Sequence, residues 1–113
     1  MLSPTDQTFL NQLDQDILSQ VNNSSISIDD LATKHTMSRT KFYRRLKALT
    51  NLSPLQYIRT RRIEIAYHML QTNQQLMVNE VMTQVGISDR KHFNFWFKKR
   101  FGISPSEVRK SNL

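Results

Sequence analysis

The sequence predicts an all-α fold of about seven helices, in which two copies of a two-helix unit are joined by a long helix. Only two glycines and three prolines occur in 113 residues, so little in the chain interrupts helices. Apolar residues recur every three to four positions, which is helical spacing. The pattern of positions 28–54 also returns, about fifty positions later, over positions 78–105.

Capping residues mark where the helices begin. Serine precedes proline at positions 3–4, 53–54 and 104–105, which places serine at the N-cap and proline at the first helical position. Glu107 completes a capping box with Ser104. Further caps are predicted at Ser27 and Ser38, and another pair at Asn79 or Ser88.

Each helix has its own apolar stripe. The first helix is predicted from about Thr5 to Val21, the long helix from Pro54 to about Gln71, and the last from Pro105. The stripes of the first six helices are, in chain order, Phe9-Leu13-Ile17-Val21, Ile28-Leu31-Ala32, Phe42-Leu46-Leu49, Leu55-Ile58-Ile65-Ala66-Met69-Leu70, Val78-Val81-Met82-Val85 and Phe93-Phe97.

Length and charge restrict the class of protein. The chain is long enough for one domain with a modest core. Its net charge is +7, but residues 1–37 carry five acids and one lysine, whereas residues 38–113 carry fifteen Lys or Arg and four acids. A basic body indicates a polyanionic partner, although a well-solvated surface would show the same charge. The absence of cysteine, of an export signal and of a membrane-length apolar run predicts a cytoplasmic protein.

The repeat has the layout of a helix-turn-helix. The short helix at 28–32 returns at 78–82 with an offset of fifty, and one inserted residue then shifts the offset to fifty-one for the second helix. Each copy reads as short helix, tight turn, cap and amphipathic basic helix. Gly86 lies where such a turn needs a positive φ, whereas the first copy has Thr36 there, so its turn must adapt.

The second helix of each copy is predicted to present a polar face opposite its buried phenylalanine. With Phe42 and Phe93 facing the core, these faces consist of Thr40, Tyr43, Arg44 and Lys47 in the first copy and of Lys91, Asn94, Phe95 and Lys98 in the second. In a major groove Arg can read guanine, Asn adenine, and Thr or Phe a thymine methyl, while Lys meets phosphate. One such face is usually a solvated helix surface, but two matched faces favour DNA. Trp96 falls on the flank and is predicted to be a core or edge residue.

Two segments together carry a family signature. The second-copy residues are 81–89, Phe93, 97–99, 101–105 and Glu107, and the first-half residues are 31–32, 37–39, Arg44, 46–47, 52–54, 57–59, 62–63, Ala66 and Leu70. This pattern, from roughly Ile28 to Arg109, resembles that of the AraC/XylS transcription regulators. The resemblance implies two helix-turn-helix units on a rigid linker helix, whose recognition helices enter successive major grooves of double-stranded DNA, and activation through RNA polymerase.

The resemblance also implies which residues read bases. They are Thr40, Tyr43 and Arg44 in the first copy and Arg90, Lys91, His92 and Phe95 in the second. The sequence departs from the family at two places, since Arg is common where Phe95 stands and Ala where Met82 stands.

Phosphate contacts are expected from basic side chains and helix N-termini beside the two faces. The candidates are Ser38, Lys41, Arg45, Lys47, Arg59, Arg62, Ser88, Lys98, Lys99 and Arg100. Arg45 and Arg100 lie nearer the core side of their helices, so each could instead pair with an internal acid. Neutralising about six phosphates would make the affinity fall steeply with salt.

We expect one DNA-binding domain over residues 1–113. It comprises a lead-in helix (1–26), the first helix-turn-helix (27–53), the linker helix (54–73), and the second helix-turn-helix with a C-terminal helix (74–113). Residues 3–10 and 37–50 look closest to output domains of hybrid two-component regulators, which would make the chain the C-terminal piece of a larger bacterial protein. Its acidic first helix would then pack on the first unit and connect to a receiver domain, with tethering through a membrane-bound sensor. The alternative is a small stand-alone activator.

Other function classes fit less well. His35, His68 and His92 lie far apart, and no carboxylate cluster or Gly-rich phosphate loop occurs, so we expect no enzyme, metal or cofactor site. His68 is predicted on the surface of the linker helix. The serious rival is a non-specific nucleic-acid binder, which needs the charge but not two matched faces. A protein-binding helical bundle would show no salt-dependent affinity for DNA.

Overall fold

A computed structural model describes residues 2–111, and the ends of the predicted domain, positions 1 and 112–113, lie outside them. The predicted all-α class is confirmed, with no strand among residues 2–111. The predicted ends of the first and the long helix lie within two residues of the observed ones. The helices are α1 (Pro4–Ser19), α2 (Ile28–Lys34), α3 (Arg39–Thr50), α4 (Pro54–Thr72), α5 (Val78–Gln84), α6 (Arg90–Phe101) and α7 (Pro105–Ser111).

Serine caps begin five of these helices as predicted. The hydroxyls of Ser27 and Ser38 accept the N–H groups of Asp30 and Lys41, each at 3.1 Å. Each bond satisfies one of the amide groups that a helix start leaves without a partner. The same contact is made at the starts of α1, α4 and α7 by Ser3, Ser53 and Ser104.

The starts of α5 and α6 differ from the prediction. Asn79 lies inside α5, and the carboxylate of Glu80 accepts the N–H of the residue before that helix at 3.0 Å. Asp89, not Ser88, is the N-cap of α6, and its carboxylate accepts the N–H of His92 at 3.1 Å. The turn before α6 has one residue more than the turn before α3, and this extra residue moves the cap from Ser88 to Asp89.

The buried apolar side chains form two clusters, so the expectation of a single modest core was wrong. The described residues divide into two compact units, unit 1 with residues 2–20 and 26–59 and unit 2 with residues 21–25 and 60–111. Each helix-turn-helix has its own apolar face to bury, and a different part of α4 covers each face. The buried residues of the unit 1 core are Phe9, Leu10, Leu13, Ile17, Leu31, Ala32, Phe42, Leu46, Tyr57 and Ile58.

The core of unit 2 is more aromatic. Phe93 and Phe97 of α6 are fully buried, with ring centroids 5.8 Å apart. Tyr67 of α4 and Phe101 stack at 4.2 Å beside them. Trp96 is partly buried against this cluster, in agreement with the sequence prediction. The other buried members are Val21, Ile63, Ala66, Leu70, Val81, Met82, Val85 and Val108.

Three acids attach α1 to the first helix-turn-helix inside unit 1. These acids are partly buried, and each of them contacts at least one side chain in the helix-turn-helix or at the start of α4. Three of the five acids in the acidic lead-in are therefore paired within unit 1. The contacts join Asp6 to Arg45 at 3.2 Å, Asp14 to the hydroxyl of Tyr57 at 2.5 Å, and Asp16 to His35 and Lys34, each at 2.9 Å.

Candidate nucleic-acid interface

A left-handed residue makes the tight turn in each helix-turn-helix. Gly86 has φ +77°, as the sequence predicted, and Thr36 takes the same conformation at φ +57°. A side chain on Gly86 would place its Cβ 2.6 Å from the carbonyl oxygen of Val21, so only glycine fits there. The turn of the first copy therefore does not avoid the positive φ but forces a β-branched residue into it.

The outer face of α3 is exposed as predicted. Thr40, Tyr43, Arg44 and Lys47 all lie on the surface, and Tyr43 is 48% exposed. The phenylalanine on the opposite side of the helix is fully buried, which fixes the rotation of α3 in unit 1. No ion pair involves Arg44 or Lys41 within residues 2–111. This face therefore offers cations whose charge no acid of the described chain neutralises.

The corresponding face of α6 combines cations with an aromatic ring. Lys91 and Lys98 are exposed, Asn94 is partly exposed, and Phe95 is 56% exposed. The edge of Phe95 meets Trp96, with ring centroids 5.0 Å apart and planes at 83°. The two helices thus present the matched faces that the repeat predicted.

Asn79, which lies on α5 beside the α6 face, was missed as a functional candidate. Arg90 donates from Nε to the amide oxygen of Asn94 at 3.2 Å and from Nη1 to the amide oxygen of Asn79 on α5. Two neutral acceptors on two helices thus hold the guanidinium without neutralising its charge. The sequence predicted Asn79 only as a cap. The available signal was its alignment with Asp29 of the first copy. Asp29 contacts Arg39 at 3.2 Å, just as Asn79 contacts Arg90 in the second copy.

The N-terminus of α6 already holds an anion. The carboxylate of Asp89 accepts the backbone N–H of His92, and this hydrogen bond is the main reason that the pKa of Asp89 is lowered. The other carboxylate oxygen lies 3.3 Å from Nδ1 of His92. Because this carboxylate fills the helix terminus, the reason for predicting a phosphate at Ser88 is lost.

Arg62 was predicted to contact phosphate, and the structure contradicts this. Its side chain is buried, at 6% exposure, and its Nη1 donates to the carbonyl oxygens of Val21 at 2.5 Å and Val85 at 2.7 Å. Nη2 donates to the carbonyl oxygen of Asn23 at 2.6 Å. Burial lowers the pKa of the guanidinium. Arg62 therefore holds residues 21–25 and the turn after α5 together inside unit 2.

Arg45 and Arg100 pair with acids, the alternative noted from their positions on the helices. Arg45 contacts Asp6 and lies 4.2 Å above the ring of Phe9. Arg100 donates to Glu64 at 3.0 Å and keeps half of its side chain exposed. The remaining predicted phosphate contacts are exposed or partly exposed and comprise Ser38, Lys41, Lys47, Arg59, Lys98 and Lys99.

Two helix-turn-helix units whose second helices expose basic faces define a DNA-binding protein. A model of the helix-turn-helix domain matches residues 31–111, which is most of the chain. The chain belongs to the AraC/XylS-type family of sequence-specific, DNA-binding transcription regulators, as the sequence motifs indicated. This is a family of regulators rather than of enzymes.

Relatives and solved structures agree with this assignment. The Msm operon regulatory protein of Streptococcus mutans is 36% identical over 104 residues, which are 92% of this chain and 37% of that protein. Histidine kinase P4 of Formosa agariphila is 26% identical over 108 residues, 96% of this chain and 8% of the kinase. The DNA-binding domain of AdpA, solved in complex with a target DNA, has a TM-score of 0.76 at 28% identity and covers 90% of both chains.

The chain spans 37% or less of the length of these two curated relatives. No helix within residues 2–111 is both long and apolar enough to cross a bilayer. Nor do these residues bring together three or more side chains that could hold a metal ion.

Proposed function

We propose that both α3 and α6 read base pairs, so that each helix-turn-helix of this regulator recognises its own part of one DNA site. The observation that carries the proposal is the pair of matched faces, exposed at equivalent positions of a repeated unit. In the first unit the readers are Thr40, Tyr43 and Arg44. In the second they are Arg90, Lys91, His92, Asn94 and Phe95.

Phosphate contacts position these readers on the duplex. We assign them to the exposed lysines at the edges of the two faces and to the N-terminus of α3 at Ser38, with the partly exposed Arg59 as a further candidate. Each phosphate neutralised releases counterions, so the affinity falls with a slope of about 0.9 per contact on a log–log plot against salt. The lysines are Lys41, Lys47, Lys98 and Lys99.

Arg44→Ala tests the base-reading role. A bidentate arginine–guanine pair discriminates against a wrong base by about 1–3 kcal/mol, so the variant should bind a selected site roughly 5–150-fold more weakly. Its affinity for scrambled DNA should change far less. Lys41→Ala is the matched control from the same helix, and it should weaken binding to both duplexes equally and reduce the salt slope. Equal losses on both duplexes for Arg44→Ala would contradict base reading by α3.

We further propose that this domain is the output domain of a hybrid two-component protein. The similarity to a histidine kinase over 96% of this chain supports the proposal. Sequencing the gene upstream of residue 1 tests it, since the proposal requires an open reading frame that encodes a receiver and a kinase. A promoter and ribosome-binding site directly upstream would instead support a stand-alone activator.

The proposed effect on transcription is activation through contact with RNA polymerase, as the family resemblance implies. A reporter gene placed downstream of the selected site measures it. Transcription should rise when the chain is expressed and should return to the basal rate with Arg44→Ala. A fall in transcription below the basal rate would indicate a repressor.

A further inference from the structure

The ring of Phe95 is an apolar contact surface held in a fixed place on α6. More than half of its side chain is exposed, and its edge-to-face contact with the partly buried Trp96 limits how the ring can move. Nζ of Lys99 lies 5.9 Å from its centroid and 5.2 Å from that of Trp96, so a cation helps to fix both rings. A ring held in this way loses little conformational entropy when a partner covers it.

The charge around Phe95 shows what kind of partner fits. Three lysines stand three or four positions from Phe95, about one helical turn, and they are Lys91, Lys98 and Lys99. No ion pair involves them within residues 2–111. A second copy of this chain would bring the same ammonium groups together and be repelled. A polyanion that also displays an apolar group would satisfy both the cations and the ring. In duplex DNA the apolar group of the major groove is the C5 methyl of thymine.

The repeat places Phe95 at the centre of its reading face. Under the offset of fifty-one it stands where Arg44 stands in α3, with Lys91 and Lys98 in the places of Thr40 and Lys47. An arginine at that place donates hydrogen bonds to guanine, whereas a phenylalanine has no donor and can only bury apolar atoms. The two units should therefore differ in the chemistry of the base they select.

We infer that Phe95 is a specificity-determining residue that makes unit 2 select pyrimidines bearing a C5 methyl group, that is, thymine or 5-methylcytosine. The inference rests on the proposed function, because it assumes that α6 reads bases. Burying one methyl-sized group changes a binding constant about fourfold. Unit 2 should therefore bind thymine about fourfold more tightly than uracil, and 5-methylcytosine about fourfold more tightly than cytosine.

The test replaces the thymines of a selected duplex by uracil, one at a time, and measures the dissociation constants by fluorescence anisotropy. At one position or at two adjacent positions the wild type should lose about fourfold. Phe95→Ala should bind the thymine and uracil duplexes at this position equally, and Phe95→Leu should keep part of the preference. Arg44→Ala should keep the full thymine preference although its overall affinity is lower. Cytosine and 5-methylcytosine duplexes at the same position provide the gain-of-affinity measurement.

Trp96 emission and the midpoint of urea unfolding show whether each variant keeps its fold. If Phe95→Ala does not fold, Phe95→Leu takes its place in the test. Equal binding of thymine and uracil duplexes by the wild type would overturn the inference. An equal thymine preference in the wild type and in a folded Phe95 variant lacking the ring would also overturn it. A failure to enrich any site from random DNA has a different meaning, since it would contradict the proposed function itself.

Discussion

Replacing Arg62 by methionine should destabilise unit 2 without removing a DNA contact. Arg62 is 6% exposed, and its guanidinium donates three hydrogen bonds to main-chain carbonyl oxygens, two of them at buried positions. Methionine fills much of the same volume with apolar atoms but cannot donate. The carbonyl groups of Val21 and Val85 would then stay buried without their donor.

The magnitude follows from the number of acceptors left without a partner. A buried polar group without its partner costs about 1–3 kcal/mol, so the two buried carbonyls together cost roughly 2–6 kcal/mol. The variant no longer has to bury a charge, which offsets part of this cost. We expect the free energy of unfolding of unit 2 to fall by about 3 kcal/mol. With an m-value of about 1–3 kcal/mol per molar urea, the midpoint should fall by roughly 1–3 M.

Trp96 provides the assay because it is the single tryptophan of the chain and belongs to the core of unit 2. Its emission during urea unfolding reports the stability of that unit. Arg100→Met is the matched control, since Arg100 pairs with Glu64 at the surface and such pairs contribute about 0–1 kcal/mol. Arg62→Lys keeps the charge but lacks the planar fork, so it should also be clearly destabilised.

A phosphate contact by Arg62 would give the opposite results. Arg62→Met would then change the free energy of unfolding by less than about 0.5 kcal/mol, as surface substitutions do. The slope of affinity against salt would fall by about 0.9, and Arg62→Lys would largely preserve binding. That combination would refute the structural role derived from the three hydrogen bonds.

Four further substitutions test individual contacts. Thr36→Gly should stabilise unit 1 by about 0.5–1 kcal/mol in urea unfolding followed by circular dichroism, because it relieves a β-branched residue at positive φ; a loss of stability would contradict this. Gly86→Ala should destabilise unit 2 by more than about 2 kcal/mol, since a Cβ at this position meets the backbone. An unchanged free energy of unfolding, measured by Trp96 emission, would contradict the turn geometry. Asp89→Ala should destabilise α6 at pH 7. Since the pKa of Asp89 is lowered in the folded state, its contribution to stability is full above its unfolded pKa of about 3.9 and is lost as the pH falls through the lower folded pKa. The difference between wild type and variant should therefore shrink as the pH falls below about 3.9, and a constant difference would argue against this role. If Arg90 reads a base, as proposed, Asn79→Ala should relax base preference at that position without changing affinity for scrambled DNA. An unchanged preference in a selection experiment would refute the positioning role of Asn79.

The sequence sufficed for features that depend on local residues. Ser27 and Ser38 cap their helices because an N-cap serine needs only the amide groups of the next turn. The outer faces of α3 and α6 followed from the positions of Phe42 and Phe93, because helical periodicity fixes which side is opposite a buried residue. The positive φ of Gly86 followed from its place in the turn.

Features that depend on distant residues could not be read in the same way. Arg62 lies within the apolar stripe of α4, four positions after Ile58 and four before Ala66, and this place agrees with its burial. The groups that its guanidinium meets are carbonyls of residues 21–25 and of the turn after α5, and no local pattern shows that a segment forty positions away will contact it. Asp89 replaced Ser88 as a cap because one extra turn residue changed which side chain reaches the helix start. The division into two cores likewise reflects which part of α4 each helix-turn-helix covers.

Selection of bound sequences from random duplex DNA tests the central claim, that both helix-turn-helix units read bases. The account predicts an enriched site with two parts, of which Arg44→Ala loses one and Phe95→Ala alters the other. Titrating the selected site at two salt concentrations separates this base reading from phosphate contacts. A one-part site that Phe95→Ala leaves unchanged would show that unit 2 only holds the DNA backbone, and binding without any enrichment would contradict base reading by either unit.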